Sequence, residues 1–436
     1  MKMNGKLKKF ICVLAVIALT AVNLAVLNYA LRDDYAYSRY QPFMDRSEDI
    51  DVVFIGSSRV VNSVNPMQLW HDYGITSYNF GNSAFGIENS YWSFRLSLRH
   101  HIPKVAVLDA FGASRPETDK LQLGLAHNGL DMYPLSLEKV RAVQAIYADP
   151  ADQLELLFPF SVFHNRWSGL TLASFLPSGK PPVTDTNGFE FFYAREGSIP
   201  QPQVPADETL DRNNPPLGVR YIQEFIDLCR ANGITPVLMF IPHEVEPERQ
   251  REANTARLIA EENGVPYWNM LEEDFFDDRT DSADPNTHLN PIGAAKVTRY
   301  LGEQLSAGAD GVSAADHRGE AGYERWNALY DTYRQNLKTA ICAEDSYERL
   351  LLRLADDGFG AYFLTFHGYE PGTEEQALID VIPHNYGFES GNEAENPENC
   401  DLRVYVYDTE TSEELKIFSF RRMTSEDTNL PLNENE

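Results

Sequence analysis

Two serines and one aspartate–histidine pair are the residues of this chain placed to do chemistry. Ser57 and Ser58 follow directly on Asp51-Val52-Val53-Phe54-Ile55-Gly56, a short apolar run closed by a glycine. Such a run reads as a buried parallel strand, and open parallel sheets bind ligands beyond the carboxyl ends of their strands. A serine on that turn can begin a helix whose N-terminus favours a developing negative charge. The plainer reading is that the two serines merely cap the helix. Far downstream, Asp284 and His288 share one short loop ahead of Asn290-Pro291, a helix cap followed by proline at the first helical position. A serine hydroxyl is a weak nucleophile at neutral pH and needs a base. Histidine has the fitting pKa, and a carboxylate fixes its tautomer and steadies its cation. The two segments together predict a serine nucleophile with a histidine base.

Other polar residues are candidates for substrate contact. Arg59 follows the serines and can bind a carboxylate or phosphate, or simply start the helix exposed. His243 follows the run Thr235–Ile241, which reads as a third strand, and faces the same sheet edge. It either lines the substrate site or is a structural loop histidine.

The elements that must position these residues alternate. Strand signals recur at 51–56, Val105–Asp109 and Thr235–Ile241; helix signals run from Leu217 to Ala231 and from Pro291 to about Leu305. Alternation of this kind implies a parallel sheet with helices on both faces. Residues 113–210 break the rhythm, being rich in proline, glycine and aromatics, and read as an insertion over the sheet's carboxyl edge: a lid, or plain packing. Residues 307–320 read as a linker, 321–423 as a small α+β domain, and 424–436 as a disordered acidic tail.

The N-terminus predicts a membrane anchor. Lys2, Lys6, Lys8 and Lys9 precede an uncharged run from Phe10 to Leu31, about 33 Å long as a helix and enough to cross a bilayer. The basic flank stays inside, so residues 1–34 read as cytoplasmic flank and anchor, 35–47 as a stalk, and the bulk as extracytoplasmic. A cleaved signal peptide is the competing reading. The net charge is −28, with 37 basic against 65 acidic residues. Such a surface repels phosphates, so nucleic acid is not an expected partner. Of four cysteines, Cys342 and Cys400 can pair outside the cell or stay as free thiols; no cluster suggests a metal site.

The blocks Phe54-Ile55-Gly56-Ser57-Ser58-Arg59 and Thr287-His288-Leu289-Asn290-Pro291 resemble those of SGNH/GDSL hydrolases, particularly the membrane-anchored cell-envelope type of Gram-positive bacteria. The resemblance covers residues 48–306. It implies a flavodoxin-like three-layer α/β/α sandwich, with Ser58 as nucleophile, His288 as base and no cofactor. The family's acid usually stands three residues before the histidine, where this chain has Pro285; Asp284 and Asp281 are the candidates. The second block reads Asn79-Phe80-Gly81-Asn82-Ser83-Ala84, so Ser58, Gly81, Asn82 and Ala84 are the expected oxyanion-hole residues. The third block ends in Asp109, which lacks the family's asparagine donor; Asn82 or the Gly112 N–H can stand in. Trp167, in a basic–aromatic segment like that of envelope members, can stack on a sugar ring. The resemblance implies an esterase or O-acyltransferase acting on O-acyl groups of cell-wall or exopolysaccharide glycans, with a membrane-bound acyl-transfer partner as a further expectation. The alternative is a non-catalytic glycan-binding or envelope-assembly protein on a degenerate SGNH scaffold.

Overall fold

The structure, a computed structural model, describes residues 5–31, 34–45, 50–115, 121–159, 162, 164–176, 186–197, 199–285, 287–392, 394, 396 and 399–421. The chain opens with α1 (Gly5–Leu31) and α2 (Asp34–Asp45). An α/β unit follows: β1 (Val52–Ile55), α3 (Ser58–Ser63), α4 (Pro66–Tyr73), β2 (Ser77–Asn79), α5 (Ile87–Ser97) and β3 (Val105–Asp109). Next come α6 (Leu123–Leu130), α7 (Leu137–Ile146), α8 (Pro150–Leu157) and two 3-10 turns, His164–Gly169 and Leu172–Phe175. The unit closes with α9 (Leu217–Ala231), β4 (Thr235–Phe240), α10 (Pro247–Asn263), β5 (Tyr267–Asn269), α11 (Asp278–Asp281) and α12 (Pro291–Ala307).

All five strands are parallel, in the order β2-β1-β3-β4-β5. Alternate residues of each strand feed two separate cores. Val53, Ile55, Ala106, Leu108, Leu238 and Phe240 pack with Phe94, Ile222 and Phe225 on one face. Val52, Phe54, Val105, Val107, Val237 and Met239 pack with Leu69, Val297 and Leu301 on the other. Burial on both faces is why these strands are continuous apolar runs. The chain leaves β1 toward β2, then returns to β3 on the opposite side. The carboxyl ends of β1 and β3 therefore frame the switch point where doubly wound sheets place ligands.

A second sheet carries the C-terminal region: α13 (Glu324–Ala343), α14 (Tyr347–Arg353), β6 (Phe359–Thr365), α15 (Thr373–Asp380), β7 (His384–Ser390), β8 (Leu402–Asp408) and β9 (Glu414–Phe420), ordered β7-β6-β8-β9. It docks on the first unit through Trp326 against Trp70, ring centroids 5.5 Å apart, and through Asn65 Nδ2 donating to Tyr333 Oη at 3.0 Å.

Several expectations are corrected here. Residues 35–45 are no stalk: they lie in α2, whose Tyr40 and Phe43 are fully buried against Phe80 and Tyr78. The 307–320 segment is no free linker. Val312 enters the core, and buried His317 lies 3.1 Å from Asp51 Oδ2 and stacks on Tyr323. Residues 424–436 lie outside the described residues. Cys342 and Cys400 are both free. Cys342 sits by Leu415 and Lys416 at the start of β9. Cys400 lies two residues before Leu402, which pairs with Phe420 at the strand's far end. Five residues of strand span about 17 Å, well beyond disulfide reach. All four thiols should therefore titrate with a thiol reagent in unreduced, unfolded protein; a count of two would restore the bridge.

Among the described residues α1 is the helix long and apolar enough to cross a membrane, with a mean hydropathy of 2.7 over its most apolar window.

Candidate active site

Two short stretches of backbone bring Ser58 and His288 together. Ser57 caps α3, its Oγ accepting from the Arg59 N–H at 3.3 Å, which leaves Ser58 half-buried at the first helical position. Gly56 is required for this turn. A Cβ there would lie 2.6 Å from Val60 Cγ2 and 3.1 Å from Asp109 Cβ. On the other side, Ser282 and Leu289 form an antiparallel bridge, and Ala283 N–H donates to the His288 carbonyl at 2.9 Å. Asn290 ties both ends of the loop. Its Nδ2 donates to the carbonyls of Thr280 (2.7 Å) and Ser282 (3.2 Å), while its Oδ1 caps α12.

His288 Nε2 stands 2.7 Å from Ser58 Oγ. His288 Nδ1 is hydrogen-bonded to Asp284 Oδ2. Asp284 Oδ1 accepts from the N–H groups of Thr287 (2.8 Å) and His288 (3.2 Å). A carboxylate on Nδ1–H leaves the lone pair on Nε2, aimed at the Ser58 hydroxyl. Phe192, from the insertion, lies edge-on to the imidazole at 5.6 Å. Asp281 is elsewhere: both its oxygens take Lys296 Nζ, at 2.8 and 2.7 Å. Of the two candidate acids, Asp284 is the one on the histidine.

The expected oxyanion donors are largely committed. Gly81 N–H donates to Asn79 Oδ1 at 3.1 Å, and Asn82 N–H to the Gly56 carbonyl at 3.1 Å. Asn82 Nδ2 turns to Tyr40 Oη at 2.7 Å. Gly112 N–H is held by Glu252 at 2.8 Å. The N–H groups of Ser58 and Ala84 have no protein partner among the described residues. Ala84 takes the left-handed conformation (φ 55°) that a glycine would adopt without strain.

Arg59 cannot receive substrate. It is fully buried, stacked over Phe111 (4.2 Å) and Phe240 (5.0 Å), with a hydrogen bond to the Ile241 carbonyl and Asp109 3.8 Å away. Burial pushes the Asp109 carboxyl up to about 6 against the pull of Arg59. Trp167 stands exposed on the first 3-10 turn, which packs against α1, and touches neither Ser58 nor His288 among the described residues.

His243 acts behind the loop rather than as an open contact surface. It is 4% exposed, and its Nε2 lies 3.0 Å from Ser282 Oγ, which donates to the Asp284 carbonyl at 2.5 Å. Because the Ser282 proton is spent there, His243 must donate from Nε2. Burial, helped by the nearby Arg59 charge, pushes His243 down to about 4 from an ordinary 6.5. The folded value is below the unfolded one. The stability tied to this group is thus complete above pH 6.5 and lost as pH falls toward 4. The difference corresponds to about 3 kcal/mol. Denaturant unfolding across pH 7 to 4 should show that His243→Gln flattens this decline; an unchanged slope would place the titration elsewhere.

Sequence reasoning missed Arg39 and Tyr40 of α2. Arg39, 2% exposed, donates to the carbonyls of Gly81 (2.8 Å) and Gly188 (2.6 Å) and pairs with Glu190 at 2.7 Å. It thereby joins the second-block loop to the segment carrying Phe192. The aromatic residues of 35–43 were the available signal.

Compared with known proteins, the chain matches no protein-family model and no curated protein.

Proposed function

We propose that this chain is an extracytoplasmic serine esterase or O-acyltransferase of the SGNH/GDSL type, anchored by α1 and acting on O-acyl groups, acetyl foremost, of cell-wall or exopolysaccharide glycans. One observation carries the reading: Ser58 Oγ lies 2.7 Å from His288 Nε2, and His288 is hydrogen-bonded in turn to Asp284. His288 takes the Ser58 proton as Oγ adds to the ester carbonyl. The oxyanion forms, and the free N–H groups of Ser58 and Ala84 are the donors available to it. His288 then protonates the leaving sugar oxygen, and the acyl group stays on Ser58. Water or a second sugar hydroxyl, deprotonated by His288, releases it. The flavodoxin-like strand order and the basic flank before α1 support the fold and the outward orientation.

A second reading is a glycan-binding or assembly protein without catalysis. It is favoured by the commitment of the Gly81 and Asn82 donors and by Asp109 standing where an asparagine donor belongs. Fluorophosphonate labelling of the full chain separates the two. Covalent labelling of wild type, absent in Ser58→Ala, is the expected result. A folded wild type that stays unlabelled would favour the binding reading.

A further inference from the structure

The two 3-10 turns of the insertion carry exposed apolar side chains that the reading above leaves without a role. Trp167 is 71% and Leu172 87% exposed, and Phe175 and the adjoining Leu176 are exposed as well. Exposed apolar side chains gathered on two neighbouring turns mark a docking site on a soluble body. Its place is informative. Both turns pack against α1. That helix is exposed along most of its length and becomes buried only at Ala30 and Leu31, its C-terminal end. The turns therefore sit where α1 leaves the bilayer, if α1 spans it.

The charge pattern of this stretch departs from that of the rest of the chain. With 65 acidic residues in 436, a run of 29 would carry about four. Residues 156–184 carry none, while Arg166 and Lys180 supply positive charge. Acidic side chains are repelled by anionic headgroups, and a membrane-seated segment must shed them. Tryptophan and phenylalanine, apolar over most of their surface, are the side chains that settle at the membrane–water boundary.

We infer that the segment carrying these two turns seats in the outer headgroup–acyl boundary of the bilayer, beside α1, as a second attachment of the body to the membrane. This rests on α1 being the anchor. A single helix would let the body swing, whereas two attachments fix its orientation and the height of the Ser58 site above the lipid.

The chain supplies its own probe. Of its five tryptophans, Trp70, Trp92, Trp268 and Trp326 are buried and only Trp167 is exposed. The full chain is reconstituted in liposomes of phosphatidylcholine and phosphatidylglycerol, with or without phospholipid brominated high on its acyl chains. Flotation with the liposomes tests the anchor separately. Brominated lipid should lower emission by up to about a fifth, one tryptophan in five. Trp167→Phe should abolish the difference. L172E/F175E should also lose it while still floating. Floating protein whose Trp167 is quenched by aqueous iodide but not by bromolipid would overturn the inference. So would protection from both quenchers, which would mean that protein, such as a second copy, covers the patch. Protein that does not float would remove the anchor and the inference together.

Discussion

Replacing His288 with alanine should lower Ser58-dependent turnover by about a million-fold, as far as Ser58→Ala itself, and the double variant should be no worse. Residues that act as one unit lose their whole effect when any essential member goes. Ser58 and His288 form such a unit, because the hydroxyl has no other base within hydrogen-bond reach among the described residues. Asp284→Asn should cost less, about 10⁴-fold, by presenting the wrong tautomer of His288 to the serine. Asp281→Asn should leave turnover per folded molecule nearly unchanged and reduce stability, since it uncouples the buried pair with Lys296. Rates of ester hydrolysis and of fluorophosphonate labelling in these variants provide the check. If Asp281→Asn slowed the reaction more than Asp284→Asn, the assignment of the acid would be wrong.

The legible parts of the fold were those in which local sequence alone decides the outcome. β1, β3 and β4 are apolar on both faces because both faces are covered, so each reads as an unbroken run. The helices at 217–231 and 291–307 carry their own periodicity, and the second carries its own Asn290 and Gly308 caps. β2 and β5 are three residues each, Ser77-Tyr78-Asn79 and Tyr267-Trp268-Asn269, at the sheet's edges. Polar residues and short length hide such strands. Ser58 and His288 were legible because strand–glycine–serine and a capped helix announce themselves in sequence; the acid was narrowed only to Asp284 or Asp281. Which way their neighbours turn was not legible. Arg59 stands next to Ser58 in sequence, yet it points into the ends of β3 and β4, among Phe111, Phe240 and Ile241. Helix-start position alone does not decide between inward and outward. A mixed polar and aromatic composition made 35–47 resemble a spacer, although Tyr40 and Phe43, three residues apart, share the buried face of α2.

Arg39→Ala should destabilise the protein by about 3–5 kcal/mol, the scale set by removing one partner from a buried charged network. The guanidinium leaves two backbone carbonyls, Gly81 and Gly188, and the Glu190 carboxylate without their donor. Arg39→Lys should recover only part of the loss, because one ammonium cannot reproduce a planar fork toward three acceptors. Glu190→Gln should cost under about 1 kcal/mol, since that side chain is partly exposed (44%) and the amide keeps an acceptor oxygen for Arg39. Denaturant unfolding of the three variants gives the order directly, and a loss below 1 kcal/mol for Arg39→Ala would mean the clamp is idle. The functional consequence follows from what Arg39 joins. Gly81 is two residues from Ser83 and three from Ala84, whose N–H is open; Gly188 and Glu190 lead to Phe192 on the His288 ring. Loosening one arginine thus loosens both walls beside the Ser58–His288 pair. Labelling per folded molecule should fall in Arg39→Ala and hold in Glu190→Gln. A soluble form of the chain that begins at residue 50 would remove Arg39, Tyr40 and Phe43 together. It would uncover Tyr78 and Phe80 and release the second-block loop, so the helix that follows α1 is as much part of the site's frame as the sheet.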